Sequence, residues 1–240
     1  MQIRITLTSD STILLPIHYN EHVQAMLYRY LDRDIATRLH NEGFRYRKRS
    51  FKLFTFSRIH ARSRYDRRNK LITFFPPIRI HFAFAVDSVG RSFLNNVIKA
   101  DSIVLEGNLL QVADVQISSP AVGEEMRVKT LSPITVYRTH LKDGRKRTTY
   151  YPPDSPEFPL LIKLNLLRKY ETLYGREYPS SLEVEVLKRG KMAIIKYKGT
   201  VIKAWDAHLL LTGEPEILKL ALGAGLGAKN SQGFGMVILT

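Results

Sequence analysis

The sequence contains no cysteine. That absence excludes disulfide frameworks, iron–sulfur clusters, cysteine-ligated zinc fingers and cysteine nucleophiles together. Zinc held by histidine and carboxylate stays open on composition alone. No apolar run approaches the roughly 20 residues of a membrane span, so no membrane partner is expected. The N-terminal MQIRITLTSD alternates as a strand does and has no signal-peptide core. Acidic residues are scarce, 22 against 37 Lys and Arg, which leaves a net charge of +15. The hydrophobic fraction of 44% fits a globular chain and is too high for a disordered basic tail. These features describe a soluble, intracellular, cytoplasmic protein with a basic surface, and 240 residues suffice for one large domain or two small ones.

An excess of cations points to polyanionic partners, nucleic acid first. From Arg38 to Arg79 thirteen basic residues face two acidic ones, so +11 of the +15 sits in this segment. A charge run is by default a solvated face. This one is dominated by arginine (Arg45, Arg47, Arg49, Arg58, Arg62, Arg64, Arg67, Arg68, with Lys48) and interleaved with Phe44, Tyr46, Phe51, Tyr65 and Phe74. Guanidinium forks suit phosphate, and aromatic rings stack on unpaired bases. A second cluster, Lys142, Arg145, Lys146 and Arg147 around Gly144, reads as the tip of a hairpin able to enter a groove.

The hydrophobic pattern predicts a strand at 2–8, a helix at 20–31 from Val23, Leu27, Tyr30 and Leu31, and a short second helix capped by Asp32 or Asp34 and ended by Gly43. Strands follow at 51–58, 71–75 and 78–85, separated by a basic loop, then a helix at 87–99 and a strand pair over 102–118. This is β-α-β-β-α-β, the ferredoxin-like order. Residues 118–125 read as a linker. A second round follows, with strands at 126–131, 134–139 and 146–151 and a helix at 157–174 built on Leu160, Ile162, Leu164, Leu167 and Tyr170. Strands at 181–188, 192–198 and 201–211, a helix at 214–222 and a strand at 233–239 complete it. The expected fold is α+β, two tandem ferredoxin-like domains at 1–119 and 125–240.

The C-terminal run GAGLGAKNSQGFGMV at 223–237 lies after a helix and before a strand. Dinucleotide and P-loop glycine motifs lie the other way round, so no nucleotide cofactor is expected. Glycines here let the backbone approach a partner closely and offer N–H groups to phosphate, with Lys229 adding charge.

That ending resembles the glycine-rich loop of the repeat-associated RNA-binding proteins of CRISPR systems. Within that superfamily the chain is similar to the endoribonucleases that cut the CRISPR repeat transcript, Cas endoribonuclease six. LPIHYNEHVQAMLYRYL at 15–31, KLFTFS at 52–57 and LSPI at 131–134 resemble the family's first helix, second strand and second-domain start. The resemblance implies two ferredoxin-like domains and metal-free, cofactor-free cleavage of repeat RNA. It implies Tyr28, His40 and Lys52 as catalytic positions, and RNA contacts from Gly225, Gly227, Lys229, Asn230, Ser231 and Gly233. In that chemistry the 2′-OH attacks the adjacent phosphate, so one group takes its proton, another protonates the leaving 5′-oxygen, and a cation meets the developing charge. Subunits of a CRISPR effector complex and a second copy of the chain are further partners it leaves open. The alternatives are a repeat-RNA-binding protein without catalysis, a structural subunit of a CRISPR ribonucleoprotein, and a general RNA binder.

Geometry tests this triad. On one continuous helix Tyr28 and His40 would be about 18 Å apart along the axis and about 120° apart around it. They meet only if the chain breaks near Asp32 and folds back. His40 then falls near a helix C-terminus, where the dipole favours imidazolium, and Lys52 returns to the same end at the start of a strand. By default His40 is a capping residue, Lys52 a strand-end lysine and Tyr28 a half-buried core tyrosine. Tyr46 is an alternative to Tyr28, and nothing in the sequence positions His60 or His81.

Overall fold

The computed structural model describes residues 1–240 except Lys48 and Asp143, and Lys142 by its backbone alone. The first half contains β1 (Gln2–Thr8), β2 (Ile13–Pro16), α1 (Asn20–Arg29), α2 (Arg33–Asn41), β3 (Phe44–Tyr46), β4 (Arg49–Phe51), β5 (Phe54–Phe56), β6 (His60–Asp66), β7 (Leu71–Phe84), α3 (Asp87–Lys99), β8 (Ile103–Leu105) and β9 (Asn108–Ser118). The second contains β10 (Glu125–Thr130), β11 (Tyr137–Lys142), β12 (Arg145–Tyr150), α4 (Glu157–Tyr174), β13 (Glu183–Tyr197), β14 (Thr200–Thr212), α5 (Pro215–Ala224), a 3₁₀ turn (Asn230–Gln232) and β15 (Val237–Leu239). Among the described residues no helix is long and apolar enough to cross a membrane.

Strand alternation builds both sheets. Ile3, Ile5 and Leu7 of β1 are buried, as are Ile78, Ile80, Phe82 and Phe84 opposite them on β7. Val89, Phe93 and Val97, one turn apart on α3, cover that face, and the Phe93 ring lies 4.8 Å from Phe82 and 5.5 Å from Phe84. β7 bonds β1 and β2 along one edge and β5 and β6 along the other, and β9 closes the far side of β1. The second sheet runs β13–β14–β10–β15. In both halves the βαββαβ strands therefore stand in the order 2-3-1-4, each antiparallel to its neighbour. The tandem ferredoxin-like arrangement is present.

Several local expectations are corrected. The basic loop at 59–70 is largely strand β6, hairpinned onto β7, and β7 runs unbroken through Pro76 and Pro77. β6 gave no alternating pattern because Arg62–Asp66 is exposed on both faces. The strand at 51–58 splits in two because Leu53 turns into the left-handed region (φ 54°) and sends its side chain into the second core. The strands at 181–188 and 192–198 are one bent strand, β13, whose register shifts where Gly190 crosses Asp206, its added Cβ falling 2.7 Å from Asp206 O. On α4 the buried stripe is Phe158, Ile162, Leu166, Lys169 and Tyr170, while Leu160 is exposed and Leu164 and Leu167 are half-buried.

The halves are sealed by polar side chains that donate to backbone carbonyls. Gln2 Nε2 reaches Leu222 O (3.1 Å) and Val237 O (3.0 Å), and Thr55 Oγ1 reaches Phe234 O (2.9 Å). At the same seam Gly223 of α5 lies against β7, where an added Cβ would fall 2.7 Å from Ala85 Cα and 2.8 Å from Phe84 O. Exchanging glycine for alanine within a helix ordinarily gains up to about 1 kcal/mol. Here Gly223→Ala is expected to lose about 1–3 kcal/mol by overpacking, read as a lower urea midpoint. A raised midpoint would show that the seam yields.

Candidate active site

The helix does break. α1 ends at Arg29, Tyr30 and Leu31 form the turn, and α2 starts after Asp32. Asp32 occupies the N-cap position, with Ala36 N donating to its carbonyl at 2.8 Å, but its carboxylate makes no cap. That carboxylate accepts from Asn96 Nδ2 (2.9 Å), and Asp32 N donates to Ser92 Oγ (2.8 Å), so α3 holds the break. Gly43, with φ 63°, ends α2 and donates to Arg38 O at 2.9 Å.

Folding back brings the three positions together. The His40 ring stands edge-on to Tyr28, centroids 5.9 Å apart, and Tyr28 packs on Phe54 at 5.8 Å. Lys52 Nζ donates to the backbone carbonyl of His40 at 3.0 Å. Lys52 reaches this point from the two-residue gap between β4 and β5, and not from a strand face. Gly43 is needed here too, since a Cβ on it would fall 2.6 Å from Phe51 O and 3.0 Å from Lys52 Cδ.

The groups differ in setting. His40 is exposed, with Nδ1 3.1 Å from Asn41 Oδ1, a contact that is a hydrogen bond when Nδ1 carries the hydrogen and that leaves Nε2 without a protein partner among the described residues. Burial, with a smaller contribution from the Tyr197 phenol, pushes Tyr28 up to about 12, so it stays a protonated donor. Partial burial lowers the Lys52 ammonium below the ordinary 10.5. Among the described residues no group of three or more His, Asp or Glu converges as a metal ligand set.

The cations divide among four places. Arg45 and Arg49 lie on β3 and β4, with Arg47 at their turn and its guanidinium 5.4 Å over Tyr46; Lys48 lies outside the described residues. Arg62 and Arg64 lie on β6, Arg62 stacked 4.5 Å over Phe75, with Arg67 and Arg68 at the turn into β7. Arg145, Lys146 and Arg147 are exposed on β12, beside the hairpin tip. Arg58 and His60 line a further cleft, of about 400 Å³, against Lys129, Lys188, Arg189 and His208 of the second sheet. The sequence reading missed these four second-sheet groups. Lys129 alternates with buried Met126 and Val128, and the run Lys188–Lys191 was a visible signal. His60 and His81, rings 5.6 Å apart, lie beside this cleft. Burial, then neighbouring charges, lowers both and takes His81 to about 4.

The glycine-rich run is placed differently from the sequence reading. Gly225, Gly227, Gly233 and Asn230 are buried, and the close approaches that the glycines permit are to the protein itself. A Cβ on Gly233 would fall 2.4 Å from Phe56 Cε2, and one on Gly227 2.7 Å from Thr135 O. Asn230 spends its amide on Leu226 O and Phe234 O. Lys229 and Ser231 are half-exposed, and Lys229 Nζ sits 5.5 Å over the Tyr137 ring.

Residues 117–239 match the family model described as CRISPR associated protein Cas6, C-terminal. A Methanocaldococcus jannaschii protein named CRISPR-associated endoribonuclease Cas6 1 is 30% identical over 99% of this chain and 92% of its own length. The chain belongs to the Cas6 family of CRISPR-associated endoribonucleases. A solved structure of a Cas6-related Pyrococcus furiosus protein superposes with a TM-score of 0.85 at 20% identity, covering all of this chain and 98% of that one. One described as an RAMP protein binding different RNA substrates superposes at 0.82 with 24% identity, covering 100% and 99% of the two chains. For a Cas6 enzyme the lowered Lys52 has a kinetic sign. A cationic role is fully present at low pH and lost as pH rises through a value below 10.5. The alkaline limb of the cleavage rate should therefore begin below that value, and Lys52→Arg, which stays charged, should move it upward. An unmoved limb would remove Lys52 from the reaction.

Proposed function

We propose that the protein cuts CRISPR repeat RNA, the precursor transcript, in the cytoplasm without metal, leaving 2′,3′-cyclic phosphate and 5′-hydroxyl ends. The observation that carries this reading is the convergence of Tyr28, His40 and Lys52, next to the arginine-bearing β3–β4 hairpin, in a chain of the Cas6 family. The 2′-hydroxyl loses its proton to solvent water as its oxygen attacks the adjacent phosphorus, and the P–O5′ bond breaks. His40 gives its proton to the departing 5′-oxygen, and the Lys52 ammonium faces the charge that develops on the phosphorane. Tyr28, held protonated, donates to and orients the 2′-hydroxyl or a phosphate oxygen.

Residues 1–119 form the cutting domain and residues 125–240 the domain of the glycine-rich loop. The RNA runs past the β3–β4 arginines toward the cleft at Arg58 and Lys129, with Lys229, Ser231 and the β11–β12 hairpin as further contacts. That a structural relative is described as binding different RNA substrates supports an RNA-tracking surface. Removing an acid or base group of this kind costs on the order of 10²- to 10⁴-fold, so His40→Ala should cut that much more slowly in EDTA while retaining RNA. A substrate with 2′-deoxyribose at the cut should bind and stay whole. Cutting of the deoxy substrate would sink the mechanism, normal cutting by His40→Ala would sink the assignment, and tight binding without cutting by the parent protein would make it a binding subunit.

A further inference from the structure

Lys169 on α4 is wholly buried, and none of its hydrogen-bond partners is a carboxylate. Its ammonium donates to Gly225 O (2.7 Å), Gly227 O (3.2 Å) and Asn230 Oδ1 (2.7 Å), which uses all three of its hydrogens. An apolar side chain would be easier to bury at this depth. The ammonium is accounted for by the loop it holds. Gly225 (φ 76°) and Gly227 (φ 68°) take conformations that residues with a side chain rarely adopt and turn two carbonyls inward, where the buried Lys169 donor satisfies them. Burial draws Lys169 down to about 7, the electrostatic cost of holding it among neutral dipoles.

The other side of this loop is bonded to the first domain. Asn20 Nδ2 donates to Gln232 O (2.7 Å), Gln24 Nε2 to Ser231 O (2.6 Å) and Thr55 Oγ1 to Phe234 O (2.9 Å). The Tyr197 hydroxyl, also from the second domain, donates to Gln24 Oε1. Gln24 lies one helical turn before Tyr28 on the same face of α1, and Thr55 lies three residues after Lys52. The loop is thus a strap, with Lys169 on the inside and the two segments bearing Tyr28 and Lys52 on the outside.

We propose that Lys169 is a positioning residue for RNA cleavage, acting through the glycine-rich loop on α1 and on the Lys52–Phe56 segment. This rests on the site reading above. Cas6 chemistry would then be set by the second domain, although Tyr28, His40 and Lys52 all belong to the first.

The test is the single-turnover cleavage rate of repeat RNA oligonucleotides by Lys169→Met, measured below its melting temperature, beside its affinity for the 2′-deoxy RNA. Misplacing reacting groups by about 1 Å costs on the order of 10²-fold, so the rate should fall by that order while affinity changes little. Gln24→Ala, which releases the same strap from its half-buried outer end, should lower the rate without lowering the melting temperature. Combined with Lys169→Met, it should add little further loss. A folded Lys169→Met that cuts at the parent rate, losses that multiply in the double variant, or a rate loss matched by lost affinity would each overturn the proposal. If Lys169→Met does not fold, Gln24→Ala decides, and parent-rate cutting by it refutes the strap. Failure of the site reading is separate, because it appears as cutting at the parent rate by His40→Ala.

Discussion

The turn at Tyr30–Asp32 is the constraint on which the site depends. Nothing local forces it, because Asp32 does not use its carboxylate to cap α2. The turn is fixed by tertiary bonds. Ser92 and Asn96 of α3 grip Asp32, and the Tyr30 hydroxyl donates to Ser102 O (3.0 Å) while accepting from Val104 N (3.2 Å). Leu31 of the turn and Leu39 of α2 are both buried in the first core. The ferredoxin-like layer thus folds α2 back over α1, and the separation between Tyr28 and His40 collapses to a ring contact. Polar side chains of α3, remote in sequence, therefore help to decide whether Tyr28, His40 and Lys52 meet.

A second constraint acts across the seam. Gln2, Asn20, Gln24 and Thr55 all donate from the first domain to carbonyls of the second. Such bonds are directional, so they fix orientation where apolar contact alone would allow sliding. The seam also carries charge. Arg58 approaches Asp206 at 3.5 Å across it, while Lys129 and Lys188 pair in register with His208, which leaves the cleft basic. The net charge is therefore spread over several surfaces, with the β3–β4 hairpin at the Tyr28–His40–Lys52 end, the β6–β7 hairpin and cleft along the sheets, and the β11–β12 hairpin beyond.

The fold was legible because its period-2 and period-3.6 patterns agree with its topology, as in β1, α3 and β14. The helix break was legible as a requirement, since Tyr28 and His40 could not otherwise meet. Other features were hidden for identifiable reasons. Leu53 leaves the strand pattern because its side chain serves the other domain's core, and no sequence window contains both. β6 was masked because both of its faces are exposed and it carries no apolar alternation. Lys169 sits on an apolar helical stripe, where a lone lysine reads as an error in the stripe until the loop carbonyls it faces are known. The glycine-rich run was correctly singled out, but its glycines meet Thr135, Phe56 and Asn20 of the protein itself. A sequence records that a backbone must approach something closely without recording what.

The most direct measurement is a crystal structure of the protein bound to repeat RNA carrying 2′-deoxyribose at the cut. The account predicts the scissile phosphate beside Lys52 Nζ, the leaving 5′-oxygen within hydrogen-bond reach of His40 Nε2, and the Tyr28 hydroxyl at the sugar edge or phosphate. A scissile phosphate lodged elsewhere, in the Arg58–Lys129 cleft or along the β11–β12 hairpin, with His40 and Lys52 free of RNA, would contradict it.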